Sequence, residues 1–458
     1  MVSSKIKQEF FHFIDNYGAV FAVSLSFLLN IIFYYLGLAF NDNKYREYLF
    51  IICKIVFFCS SIFVAIRMWT LDKKYLSVLL LACGILFFLG ITVLISLLRT
   101  RMYGRIFDFS SKFVIFCIPA LIFGISLGFK NGQDFVFYYE KSSFVILPAV
   151  VSYVIMNILG ISPFSNYGLG IANYMSIAYG IMPFLFVLIY AYLFKLASPI
   201  KFVATNQINI IRFITVLFSA AAIIISGTRG AIFAVCIFLL SLIIVLVVNR
   251  LFIKRIIILS ISLIILFSSL FFFLNGRPNN LTERLSIFIE GLEEGKLVTS
   301  DGDLKEHELE KLLNMPINNW DNEELQELKQ KVTNRGSIFK IAIKEAIRNP
   351  WLGLGAMGYS LKYGGYPHNI VLQIFAEYGF IFGSIMVLFI LWCIGSVIYI
   401  LIKERRIHFI IFLFAGYLFM YSSSSSFWYA EVLFLGIGYA LALRKSYKEA
   451  NMAVRVTE

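Results

Sequence analysis

One histidine, two arginines and a run of glycines are the residues in this chain whose types and spacing best suit group-transfer chemistry. His368 follows Pro367 and precedes Asn369, where a long polar segment gives way to apolar sequence. An imidazole there can take a proton from a hydroxyl near neutral pH, or donate a hydrogen bond to an oxyanion. Arg229, in SGTRGA, follows Ser226 and Thr228 and stands just before an apolar run that begins near Ala231. At a helix start, its guanidinium and the free backbone N–H groups can face the same anion, and phosphoryl oxygens fit both. Arg335 repeats the arrangement ahead of an amphipathic stretch over 336–348. Each alone has a plainer explanation: a loop histidine bonded to a backbone carbonyl, a snorkelling arginine at a helix end, a solvated loop cation. Two arginines at helix starts with a histidine at the return to apolar sequence point together to a site for an anionic, lipid-linked substrate.

A second circle of residues surrounds these. Glu377, in AEYG, can orient an arginine or His368, or serve as a structural partner. Arg277, Arg284 and Arg348 are available for phosphate or sugar hydroxyls, although a charged loop supplies such residues by chance. Gly353, Gly355 and Gly358 permit close approach, which suits a loop lying against a ligand or another helix. Asp301 and Asp303 have a D-x-D spacing that invites a metal reading, but Asp303 with Glu306 already reads as a helix cap, so no metal site is assigned. His12, His307 and His408 lack comparable company. The six cysteines, Cys53, Cys59, Cys83, Cys117, Cys236 and Cys393, all fall in apolar runs without metal-ligand spacing and are read as core filler.

The elements that must position these groups follow from the solvent the chain selects. Hydrophobic residues make up 60% of 458, with 48 Phe, and the mean hydropathy is +0.82, more apolar surface than water-facing positions can absorb. The expected fold is all-α, a polytopic membrane protein, because helices satisfy their own backbone amides in hydrocarbon. About twelve runs approach the roughly 20 apolar residues a span requires: 17–40, 48–68, 76–98, 113–129, 143–160, 171–194, 209–226, 231–249, 256–274, 380–402, 408–422 and 427–443. The middles of most are nearly free of charge. The first run lacks a small-residue cleavage site and is expected to remain as a helix.

The net charge of +13 does not signify nucleic acid. Between Asn275 and His368 lie 12 basic and 14 acidic residues, so the rest of the chain holds an excess of +15. Those cations flank the spans: Lys5 and Lys7, Arg67 with Lys73 and Lys74, Lys195 with Lys201, Arg250 with Lys254 and Arg255, KERR at 403–406, and Arg444 with Lys445. By the positive-inside rule they mark the cytoplasmic face, both termini lie there, and the 275–368 loop lies outside. Arg99, Arg101, Arg105 and Lys112 disagree by parity. The chain thus divides into spans 1–9 over 1–274, an external loop over 275–368, and 369–458 with a re-entrant or interfacial segment and spans 10–12. A loop of roughly ninety residues is too long for a simple connection and is expected to fold over the membrane face. Asp303 with Glu306 and Asp321 with Glu324 read as capping boxes of two short helices. A third runs from Gly336 to Arg348, with Ile338, Ile341 and Ala346 on its apolar face, and Asn349–Pro350 ends it. Asn369 can cap a further helix up to Gly379.

At these residues the chain resembles the O-antigen polymerase and ligase superfamily of bacterial envelope glycan enzymes. The likeness is an ordered pattern over about 226–385. It comprises Ser226, Arg229 and Gly230 at a helix start, a long outer loop, Arg335 before an amphipathic helix, Pro350, Gly353 and Gly355, then His368–Asn369 and Glu377 with Gly379. The resemblance implies a metal-independent glycosyltransferase without a cofactor, whose donor is an undecaprenyl-diphosphate-linked oligosaccharide. Arg229 and Arg335 then offset charge developing on the lipid diphosphate, and His368 activates the attacking hydroxyl or holds donor phosphate. Asn369, Glu377, Arg284, Arg348, Gly353 and Gly355 are the expected substrate-binding positions. Membrane lipid and a chain-length regulator protein are the other partners it implies, with the site facing the periplasm from the bacterial inner membrane. The polymerase, which extends another lipid-linked repeat unit, is favoured over the ligase, which transfers to lipid A-core, because the elaborated loop can hold two glycans. A lipid-glycan transporter or flippase also has about twelve helices but requires charges deep in several spans.

Overall fold

The computed structural model describes residues 2–35, 44–71, 73–100, 103–130, 133–159, 174–200, 203–248, 253–274, 310–311, 313–314, 335–404, 409–423 and 426–457. Every regular element among them is helical. They are α1 (Val2–Tyr35), α2 (Lys44–Leu71), α3 (Lys73–Thr100), α4 (Tyr103–Lys112), a π turn (Phe113–Cys117), α5 (Ile118–Phe129), α6 (Gln133–Leu159), α7 (Tyr174–Leu193), α8 (Thr205–Ile225), α9 (Arg229–Val248) and α10 (Ile253–Leu274). After the loop come α11 (Arg335–Arg348), α12 (Gly358–Tyr363), α13 (Ile370–Glu404), α14 (Phe409–Ser423), a 3-10 turn (Phe427–Tyr429) and α15 (Glu431–Thr457).

Eight of the described helices are long and apolar enough to cross a membrane, and Ile177–Leu193, Gly230–Ile244 and Phe409–Leu418 are shorter apolar helices. The fold is therefore an all-α, multi-pass membrane protein. Its helices overrun the apolar runs: α1 begins at Val2 and α6 at Gln133, because hydropathy marks where hydrocarbon ends while backbone hydrogen bonding continues into the interface. The proposed capping boxes at Asp303 and Asp321, and the D-x-D pair, lie outside the described residues.

The chain forms two compact units. The first comprises 1–64, 129–289 and 405–419. In it α7 packs on α8 and α9, and α1 and α6 pack on each other and on α7. The rings of Phe186 and Phe238 stack at 4.1 Å between centroids. Buried charge lies in this unit too, beside or at the ends of the apolar runs and not in their middles. Arg212 on α8 is fully buried and grips Glu140 of α6 through Nε–Oε1 at 2.6 Å and Nη2–Oε2 at 2.8 Å. Its remaining N–H groups donate to Leu196 O at 2.7 Å, Ala197 O at 3.0 Å and Asn209 Oδ1 at 3.1 Å. A fork–fork pair with the rest of the guanidinium satisfied is the form in which such charges tolerate burial. Lys130 pairs with buried Asp15 in the same unit.

The second unit comprises 65–128, 290–404 and 420–458. Here α13 packs on α11 and α15, and α3 contacts α15 and α4. Gly124 and Gly438 let α5 and α15 approach until backbone touches backbone, since a Cβ on either would strike the carbonyl of Leu435 or Leu121. On α11 the expected apolar face is present: Ile341 and Ala346 are buried and Ile338 packs on the same cluster, which adds Leu313, Ala342, Leu354, Tyr359 and Ala376. Beneath it, buried Glu345 accepts from Lys362 Nζ at 2.7 Å and the Tyr363 hydroxyl at 2.5 Å, and Lys362 also donates to Leu313 O at 2.8 Å. Burial pushes the Tyr363 phenol well above its usual value, and the neighbouring Glu345 carboxylate raises it further.

All six cysteines are free. Only Cys117 and Cys393 are buried; Cys59, Cys83 and Cys236 are exposed and Cys53 is intermediate, so core filler describes two of the six. Lipid is as apolar as a protein core, and hydropathy alone does not separate a lipid-facing cysteine from a packed one.

Candidate functional site

In the second unit the glycine-rich segment wraps the start of α13 and is held to it by backbone. Leu354 N–H donates to Ala376 O at 2.9 Å, Gly355 N–H to Glu377 O at 2.8 Å, and Ile381 N–H to Pro350 O at 2.9 Å. These bonds straddle Gly379, whose φ of 76° and ψ of 172° break α13 into a short first helix and a long second one. That conformation belongs to glycine, and a Cβ there would lie 2.6 Å from the carbonyl oxygens of Asn349 and Pro350. Gly353, at φ 58°, has the reciprocal constraint, with a Cβ falling 2.5 Å from Glu377 C and Gly379 N. Of the two roles open to these glycines, the structure displays the one against a helix. Gly355 also faces Ser96 of α3.

Glu377 is the polar anchor of this wrap. Fully buried, it accepts Gln373 Nε2 on Oε1 at 2.9 Å, and both Trp428 Nε1 at 2.8 Å and the Met357 N–H at 2.9 Å on Oε2. Gln373 in turn accepts the Phe427 N–H at 2.9 Å. Among the described residues the carboxyl is thus engaged by an amide, an indole and the loop backbone. Met357 itself adopts φ 61°, a left-handed conformation that aims its N–H inward. The composition of NPWLGLGAMG shows a loop, but a methionine in this conformation carries no sequence signal.

His368 lies at the mouth of the same helix. It too is left-handed, at φ 54°, and is half-buried. Its ring packs on Tyr366 with centroids 4.5 Å apart. Asn369 is the helix cap expected of it, its Oδ1 accepting the Leu372 N–H at 3.0 Å. Asn369, Gln373 and Glu377 then recur every four residues down one face, so one stripe of α13 joins the histidine turn to the loop clamp. Histidine tolerates the left-handed region better than most residues, yet such a residue still stores about 1–3 kcal/mol that packing must hold.

The two arginines open helices as anticipated: α9 starts at Arg229 and α11 at Arg335. Their side chains lie outside the described residues, as does Arg284. Arg229 belongs to the first unit, where Ser226 Oγ bonds Thr228 Oγ1 at 3.1 Å and accepts the Thr228 N–H at 3.3 Å, tightening the turn ahead of α9. Arg348 is spoken for: it donates to Glu310 Oε2 at 2.5 Å and Asn314 Oδ1 at 3.1 Å. Its guanidinium joins α11 to Glu310 and Asn314. No cluster of three His, Cys, Asp or Glu residues able to hold a metal occurs among the described residues.

The helix starts at Arg229 and Arg335, the histidine turn and the clamp at Glu377 all fall within one stretch of sequence. Residues 214–388 match the family model described as O-antigen ligase. That stretch is what the chain shares with the family; the match covers less than half of the 458 residues. No curated protein matches the chain.

Proposed function

We propose that this chain, similar over residues 214–388 to the O-antigen ligase family, is a polymerase of O-antigen or a related surface polysaccharide. It transfers a glycan from undecaprenyl diphosphate to a sugar hydroxyl of another lipid-linked repeat unit. The acceptor oxygen attacks the anomeric carbon, its proton leaves to a base, and the bond to the diphosphate breaks with the electron pair departing on the lipid phosphate. The positive start of α11, opened by Arg335, suits the charge that develops there. His368 either receives the acceptor proton or holds donor phosphate. No metal ion enters this scheme. The reaction is assigned to the periplasmic face of the bacterial inner membrane, where the 275–368 loop lies by charge. A chain-length regulator is the protein partner such a polymerase calls for.

The observation that carries the reading is the left-handed His368, presented at φ 54° on a rigid, capped helix inside the family-matched segment. Purified protein given lipid-diphosphate glycan in detergent should elongate it without a membrane gradient, and Arg229→Ala, Arg335→Ala and His368→Ala should each abolish transfer with membrane expression intact. Retained activity removes that residue from the role. No elongation by folded wild-type protein favours a transporter.

The family description itself favours a second reading, ligation of the glycan to lipid A-core. In a deletion strain, unchanged polymer length on the lipid carrier with transfer to the core lost would establish the ligase and exclude the polymerase.

A further inference from the structure

The opposite end of α13 holds a cavity. About 570 Å³ in volume, it opens between the C-terminal parts of α13 and α15 and is lined by Trp392, Gly395, Ser396, Tyr399, Arg444 and Lys448 among others. The helical path from Ile370 to Tyr399, at 1.5 Å per residue, is about 40 Å, so this cavity and the histidine turn lie at opposite ends of one membrane-length helix. The apolar part of α13 stops at Ile400, which places the cavity at the boundary of the hydrocarbon.

Its chemistry is that of an amphiphile site. Arg444 does not extend freely into solvent: Nη1 donates to Ser396 Oγ at 2.8 Å, and the guanidinium lies over the Trp392 ring, 4.4 Å from its centroid. This fixes a cation at the cavity edge while leaving other N–H donors available. Neither Arg444 nor Lys448 has a carboxylate partner among the described residues; the nearby Glu449 is taken by Lys445 at 3.4 Å. Lys403, 5.9 Å over the Tyr399 ring, extends the cationic rim. Gly395 leaves the cavity floor open, since a Cβ there would meet nothing within 4 Å. The exposed Ile398 and Ile402 continue the apolar surface beside it.

We infer that this cavity binds the headgroup of an anionic phospholipid in the leaflet opposite the candidate active site, its phosphate between Arg444 and Lys448 and its acyl chain along the Gly395 face of α13. A free phosphate would use the cations but not the apolar floor. A zwitterionic lipid would use the floor while its own cation opposed the rim.

The test uses the full-length protein, delipidated in detergent and titrated with phosphatidylglycerol, with phosphatidylcholine of the same chains, or with inorganic phosphate, and read by native mass spectrometry. Wild type should retain one phosphatidylglycerol in preference to phosphatidylcholine, and millimolar phosphate should not displace it. Each cation removed should weaken retention about fivefold, so Lys448→Gln loses part and Arg444→Gln with Lys448→Gln nearly all. Gly395→Leu keeps every charge but fills the floor, and should also expel the lipid. Because Lys448 is exposed and Gly395 faces open space, these two variants decide the matter even if the arginine variant does not fold. Equal retention of both lipids, displacement by phosphate, or unchanged binding in Lys448→Gln and Gly395→Leu would overturn the inference.

Discussion

Replacing Glu377 by alanine should loosen the glycine-rich wrap without unfolding the bundle. The change removes the acceptor for three buried donors, Gln373 Nε2, Trp428 Nε1 and the Met357 N–H. A buried donor left unsatisfied costs about 1–3 kcal/mol, so three cost at least about 3 kcal/mol. If that cost is borne by local opening of the loop, amide exchange at Met357 should accelerate about a hundredfold, at a factor of ten per 1.4 kcal/mol. Glu377→Gln discriminates hydrogen bonding from mere volume. Its amide oxygen can still accept Trp428 and Met357, which share Oε2, but its NH2 then opposes Gln373 Nε2. Gln373 cannot turn over, because its own oxygen is committed to the Phe427 N–H. One bond is lost, and acceleration of about tenfold is expected. Hydrogen–deuterium exchange on the full-length protein in detergent, followed over the 354–360 peptide, measures both. Wild-type protection in Glu377→Ala would show that the carboxyl does not hold the loop.

Breaking the Glu140–Arg212 pair by Arg212→Met should cost about 3–5 kcal/mol, because a buried carboxylate is left alone; thermal denaturation in detergent should show it, and adding Glu140→Leu should restore much of the loss. Gly379→Ala places a methyl against the Asn349 and Pro350 carbonyls, so protease cleavage within 350–366 should rise sharply compared with a Gly395→Ala control. Cysteines engineered at Gly365 and Asn451 should be labelled from opposite sides of the membrane by an impermeant maleimide. Labelling of both from one side would refute the assignment of α13 as a full span.

Much of this arrangement is legible in the sequence. Hydropathy located the helices, since hydrocarbon leaves a backbone few choices. The apolar spacing of Ile338, Ile341 and Ala346 marked the buried face of α11, and Asn369 ahead of an apolar run marked the cap of α13. What escaped notice depends on partners distant in sequence. Glu140 and Arg212 sit 72 residues apart, and nothing local in either run announces the other. Nothing in the sequence marks Glu345 and Lys362 as a buried pair, and Arg348 reads there as a cation available to substrate, because burial and ion pairing arise only once the helices pack. Glu377 was recognised as important, but its three donors come from a loop backbone, the preceding helical turn and Trp428, a combination that spacing does not encode.

The stitching of 350–355 across the break at Gly379 has a mechanical corollary. Its three bonds run main chain to main chain, so they impose a shape while leaving the exposed Trp351 and Leu352 free to vary. A tilt of α13 would carry the stitched segment and the adjoining histidine turn as one lever. Substitutions at those two exposed positions would therefore leave the fulcrum on which the outer loop is mounted undisturbed.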